Sequence, residues 1–160
     1  MLGNEAADGI LGLAFPAISS LHKTPFLLDA KNEGAVKSAV FGFKLAKSGS
    51  ELYLGGTNPS LYTGDIEYHS VTGKAGYWQI GGGSVIVGDT LVASNLNTII
   101  DSGTTFIYGP PDQVDAMYKS IPDAAPYMSM PGFYSFPCAS APSDIAFNWG
   151  GKNWIISAAK

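Results

Sequence analysis

The stretch Thr98-Ile99-Ile100-Asp101-Ser102-Gly103-Thr104-Thr105-Phe106-Ile107 sends one carboxylate, Asp101, out of an apolar run into a tight turn. Ile99 and Ile100 are β-branched and predict a buried strand. Ser102-Gly103 supplies the turn, because glycine tolerates positive φ and a serine hydroxyl bonds nearby backbone. Thr105-Phe106-Ile107 is again strand-like, and Gly109-Pro110-Pro111 then breaks the chain into a helix. A carboxylate at the tip of such a wedge, ringed by hydroxyls that orient it and tune its pKa, suits acid/base chemistry. By itself Asp-Ser-Gly is a common hairpin turn; the apolar residues before it and the two threonines after it give it weight.

Composition bounds what surrounds this loop. The chain has 160 residues, 46% hydrophobic and 14% charged, which is enough for a real core and unlike a disordered chain. Twenty glycines and ten prolines, with eight tyrosines and eight phenylalanines, predict many short strands joined by tight turns, a mostly β protein. The net charge of −4, with only nine scattered lysines and arginines, excludes nucleic acid as a partner. No apolar run reaches the roughly 18 residues of a membrane-spanning helix, so no membrane partner is expected. No charged-then-apolar leader opens the chain; a secretion signal would lie upstream of Met1. Cys138 is the one cysteine, either a free thiol or half of a bridge. With only His22 and His69 elsewhere and no CxxC, no zinc cluster is expected, and Phe136-Pro137-Cys138-Ala139 offers no base for a cysteine nucleophile. No metal or organic cofactor is implied.

From the start of the chain, Asp8-Gly9-Ile10-Leu11-Gly12-Leu13-Ala14-Phe15-Pro16 predicts a short apolar strand. Thr24 is a plausible cap, with Pro25 at the first helical position and Gly34 after the last, so a helix of two to three turns is expected. Residues 38–45 alternate with period two, Gly49 turns the chain, and Glu51-Leu52-Tyr53-Leu54-Gly55-Gly56 pairs back as a hairpin. Asp65 to Val71 alternates again and places His69 on the solvated side. Gly81-Gly82-Gly83 lacks the continuation of a phosphate loop and predicts a hairpin turn. Val114, Met117, Tyr118 and Ile121 fall on one face of a helix that packs beneath the sheet, with Asp112 favourably placed near its start. Residues 123–143 predict loops and short strands. Asp144 to Ile156 predicts a hairpin turning on Gly150-Gly151.

Several of these segments together resemble the pepsin-like aspartic proteases. The Asp101 loop resembles that family's second active-site loop, apolar-apolar-Asp-Ser/Thr-Gly-Thr-Ser/Thr with a Gly-Pro step after it. Asp-Gly-Ile-Leu-Gly-Leu at 8–13 resembles the element that closes the family's N-terminal lobe. Leu52 to Gly56, Tyr62-Thr63-Gly64 and Gly76-Tyr77-Trp78-Gln79-Ile80 resemble the crossing into the C-terminal lobe.

The resemblance implies an all-β, pepsin-like fold with short helices, divided at residues 1–64, the end of the N-terminal lobe with the interlobe strands, and 65–160, the first part of the C-terminal lobe. It implies an aspartic endopeptidase that hydrolyses peptide bonds by a water held between two carboxylates sharing one proton. Asp101 would be one of that pair. Thr104 would hydrogen-bond it, Ser102 would grip the opposite loop, Gly103 and Thr105 would bind the backbone of an extended substrate, and Tyr77 would line the cleft. Only one such loop is present, so a missing N-terminal lobe, or a second copy of the chain, is expected to complete the dyad around a peptide or protein substrate. A non-catalytic peptide-binding module and a one-lobe homodimer pairing two Asp101 loops are the alternatives. The family further implies a secreted or vacuolar location, and Cys138 is then expected to pair with a cysteine beyond Lys160.

Overall fold

The computed structural model describes residues 9–142 and 144–157, with backbone alone at Ser157. They form two compact units, one holding residues up to 66 together with 73–77, the other holding 67–72 and everything from 78 onward. Among the described residues each contains antiparallel strands and one short α-helix, with the first unit largely irregular around a single hairpin and the second built on a sheet.

In the first unit, helix α1 spans Phe26–Asn32. Pro25 is its cap rather than its first residue: ψ is extended at 145°, and the Pro25 carbonyl accepts from the Leu28 and Asp29 amides. Thr24 therefore caps nothing, contrary to the sequence expectation. Gly34, at φ +78°, ends the helix in a conformation only glycine takes without strain. Strands β1, Phe41–Lys44, and β2, Glu51–Leu54, form the expected hairpin, with Phe41 opposite Leu54 and Lys44 opposite Glu51. Ser50 closes the loop by donating to the Ala46 carbonyl and accepting from the Ala46 amide.

Two expected strands are absent here. Asp8 lies outside the described residues, and from Gly9 to Phe15 the chain takes up no strand. A strand needs a ladder partner. Here the Phe15 amide reaches the Gly76 carbonyl at 3.2 Å, but Ile10 stays 86% exposed. From 65 to 71, the regular alternation likewise yields only a single bridge, Val71 to Ile80, which belongs to the second unit.

That second unit is a four-stranded sheet in the order β4-β3-β7-β8. Strand β3 runs Gln79–Val87, β4 Thr90–Ile99, β7 Asp144–Asn148 and β8 Trp154–Ser157. Gly81-Gly82-Gly83 is not a turn; it lies inside β3. The β3–β4 register slips at this point, and Gly82 sits at φ +73°, the mark of a glycine bulge. Gly83 is buried, and a Cβ on it would stand 3.0 Å from the Trp149 indole nitrogen and 3.2 Å from the Leu96 carbonyl oxygen. Backbone and indole fill the space a side chain would need.

The core of this unit is Val85 and Val87 on one face of β3, Ala146 opposite Ile86, and Ile121 beyond helix α2. Helix α2, Pro111–Lys119, has Pro110 as its cap, Asp112 in its first turn, and lies against β4. Two-residue strands β5, Ala125–Pro126, and β6, Tyr134–Ser135, pair after it. Tyr134 stacks on Tyr118 at 4.3 Å and donates its hydroxyl to Asp115, which ties β6 to α2. The β7–β8 hairpin forms as expected, but its turn is longer than two glycines. Asn148 organises it, accepting from the Gly150 amide and donating to the Gly151 carbonyl and the Asn153 side chain.

Candidate active site

The β3–β4 ladder positions Asp101. Gln79 pairs with Ile99, and the Ile100 amide donates to the Trp78 carbonyl at 2.9 Å, so Asp101 follows directly on the last ladder bond. Thr98, near the end of β4, is braced twice. Its hydroxyl donates to the Ile80 carbonyl at 3.1 Å and accepts the Trp149 indole N–H at 2.7 Å. Sequence reasoning missed this brace, because its two side chains lie 51 residues apart and nothing in either local pattern pairs them.

Beyond the ladder the chain turns. Asp101 Oδ1 accepts the Gly103 amide at 2.9 Å, which closes an Asx turn, and Oδ2 accepts the Thr104 hydroxyl. Gly103 packs closely as well: a Cβ there would sit 3.3 Å from Oδ1. The Thr104 hydroxyl first, and the Gly103 amide second, hold the Asp101 carboxyl below the usual carboxylate range. Both donors favour the charged form, and the carboxylate is open to solvent.

The structure thus brings Asp101, Gly103 and Thr104 together. Ser102 and Thr105 lie on the same loop with exposed side chains, and the carboxylate takes its bonds from the other two. Tyr77 belongs to the first unit, where its side chain is half exposed.

Two expectations around the loop need correction. Ile99 and Ile100 are 50% and 54% exposed rather than buried. Residues 104–110 form no strand; Phe106 instead makes edge-to-face contacts with Phe133 at 5.7 Å and Tyr108 at 6.4 Å. Ring packing replaces a ladder. His69 is also not solvated: it is largely covered and stands 2.7 Å from Glu67. Among the described residues no three His, Cys, Asp or Glu side chains gather as a metal site, and no helix is long and apolar enough to cross a membrane. Cys138 is an exposed free thiol.

Comparison with known proteins gives one consistent result. The chain is 41% identical over 159 residues to an aspartic protease of Phaffia rhodozyma, a match covering 96% of this chain and 39% of that protein. It is 39% identical over 159 residues to a cathepsin D of Clupea harengus, covering 94% of this chain and 39% of that one. The crystal structure of an aspartic proteinase from Irpex lacteus superimposes with a TM-score of 0.78 at 22% identity, over 96% of this chain and 50% of that chain, and so shares the fold. The chain therefore spans 39% of the length of these two curated relatives. A family model described as eukaryotic aspartyl protease matches residues 2–160, and the chain belongs to that family.

Proposed function

We propose that the chain is part of an aspartic endopeptidase in which Asp101 is one of two carboxylates that activate a water against a peptide bond. The observation that carries this reading is the Asp101 carboxylate itself, held at a strand end by the Gly103 amide and the Thr104 hydroxyl, and open to solvent. Donors to the charged form keep a carboxylate ionised at acid pH, the state in which it can take a proton from water. A second carboxylate, from a first lobe or from another copy of the chain, would then supply the acid.

In this reading residues 1–64 close the N-terminal lobe and 65–160 open the C-terminal one. Ser102 faces the opposing loop, Gly103 and Thr105 hold the substrate backbone, and Tyr77 lines the cleft. The substrate is a peptide or protein, and the location secreted or vacuolar. Purified as a monomer, the chain is expected to show no pepstatin-sensitive cleavage of an unfolded protein at acid pH. Joined to a first lobe that carries Asp-Thr-Gly it is expected to cleave, and Asp101→Asn to cost about 10²–10⁴-fold, the usual worth of a positioned acid or base. Cleavage that follows the monomer, or that survives Asp101→Asn in the joined protein, overturns the reading. Cleavage that follows a dimer assigns the second carboxylate to another copy. Pepstatin binding by the joined protein without cleavage marks a peptide-binding module.

A further inference from the structure

In the sheet order β4-β3-β7-β8, strands β4 and β7 lie on opposite sides of β3. Trp149 follows directly on β7, whose last residue, Asn148, pairs with Ser84 of β3. Its indole N–H nonetheless donates to the Thr98 hydroxyl of β4 at 2.7 Å. The indole therefore crosses over the middle strand, and it does so at Gly83. A Cβ on Gly83 would stand 3.0 Å from the indole nitrogen and 3.1 Å from the Thr98 methyl, so the crossing depends on the space that glycine leaves free. Phe147 stacks on the indole at 6.2 Å, and the His69 ring stands 6.1 Å from it.

The crossing falls at the weak point of the β3–β4 ladder. Between the pairs Ile80–Thr98 and Gly83–Leu96, two residues of β3, Gly81 and Gly82, face one residue of β4, Asn97. A bulge of this kind leaves a residue unpaired and disrupts the ladder locally. Beyond it lie the strand ends 78–80 and 98–100, the piece that carries Asp101. They pair through Gln79–Ile99 and Ile80–Thr98, and through the Ile100 amide on the Trp78 carbonyl. We propose that Trp149 is a positioning residue for Asp101: its indole, reaching over β3, ties the strand end beyond the bulge to β7 and so fixes where the Asp101 carboxylate stands. The proposal rests on the reading of Asp101 as one of two catalytic carboxylates. The Gly103 amide and the Thr104 hydroxyl set the direction of the carboxylate within its own loop, whereas the indole sets where that loop stands on the sheet. A catalytic carboxylate must meet its water within hydrogen-bond reach, and a misplacement of even about 1 Å lowers the rate.

Amide exchange in the 160-residue chain, followed by NMR, reads the brace without catalysis, with the amides of Val85 to Val87 in β3 as the internal reference for folding. In Trp149→Phe, which keeps a ring and loses the N–H, protection of the Ile100 amide relative to that reference is expected to fall about three- to tenfold, the worth of one hydrogen bond. In Thr98→Val, which also gives up the bond to Ile80, the fall is expected to be at least as large, and adding Trp149→Phe to it is expected to bring nothing further. Thr98→Ser keeps the hydroxyl and is expected to stay near wild type. In the protein joined to a first lobe, Trp149→Phe and Thr98→Val are each expected to lower kcat about three- to tenfold or more at unchanged KM, and Thr98→Ser to restore it. Should Trp149→Phe unfold the sheet, seen as lost protection at Val85 to Val87, the contrast of Thr98→Val with Thr98→Ser carries the test. An Ile100 ratio or a kcat unmoved in the folded variants, or a rise in KM alone, overturns the proposal. A joined wild type that does not cleave, or that still cleaves after Asp101→Asn, overturns the reading of Asp101 instead, and the Ile100 ratio then decides the brace by itself.

Discussion

Asp101 takes its two hydrogen bonds from chemically different donors, and a mutation can separate them. Gly103 gives a backbone amide that no substitution removes, whereas Thr104 gives a hydroxyl. In Thr104→Val the larger of the two effects on the carboxyl disappears, so its pKa is expected to rise toward the ordinary aspartate range. The sign for stability follows. In the wild type, Asp101 contributes above the ordinary carboxylate pKa, and the contribution is lost as pH falls through the lowered one. In Thr104→Val that loss is expected at higher pH. A carboxyl-carbon NMR titration of Asp101 checks this, and an unchanged titration would show that the hydroxyl does not tune it. That hydroxyls near Asp101 would orient it was legible in the sequence, since they lie in the same turn, and the family resemblance singled out Thr104. His69 was misplaced because alternation over 65–71 promised a solvated face, while Trp149, which packs beside its ring, arrives from the fold.

Strand β3 shows how a glycine run can mean two things. Both turns and bulges favour glycine, and only the neighbours decide between them. Here the neighbours are Trp149 and Leu96, which leave no room at Gly83. Gly83→Ala is expected to overpack this contact and cost about 1–3 kcal/mol, read as a lower urea midpoint at unchanged slope. A midpoint equal to wild type would mean that β3 can shift to admit a methyl. Helix α2 and the β1–β2 and β7–β8 hairpins, by contrast, were legible from period and turn chemistry alone, since their bonds are local.

Each unit leaves large apolar side chains in water. In the first, Ile10 is 86% and Leu11 54% exposed; in the second, Ile99 and Ile100 are about half exposed. Each such side chain forgoes roughly 1.5–3 kcal/mol of burial, against a domain stability of only about 5–15 kcal/mol. The isolated chain is therefore expected to self-associate, seen as concentration-dependent sedimentation. Ile10→Lys and Ile99→Lys are each expected to reduce that association. A monomer at every concentration would show that these surfaces do not drive contact.

The sequence by itself determined the β-rich class, a helix beginning at Pro111, the hairpins, and an aspartate in an Asp-Ser-Gly-Thr turn. All of these rest on residues near one another in the chain, where periodicity and turn chemistry act. Only the tertiary structure decided that the glycine run holds a bulge, that 9–15 takes up no strand, that Trp149 braces Thr98, and that Glu67 accepts the Lys152 amide 85 residues away. Those outcomes depend on which distant groups come within bonding or van der Waals reach, and local pattern carries no record of that.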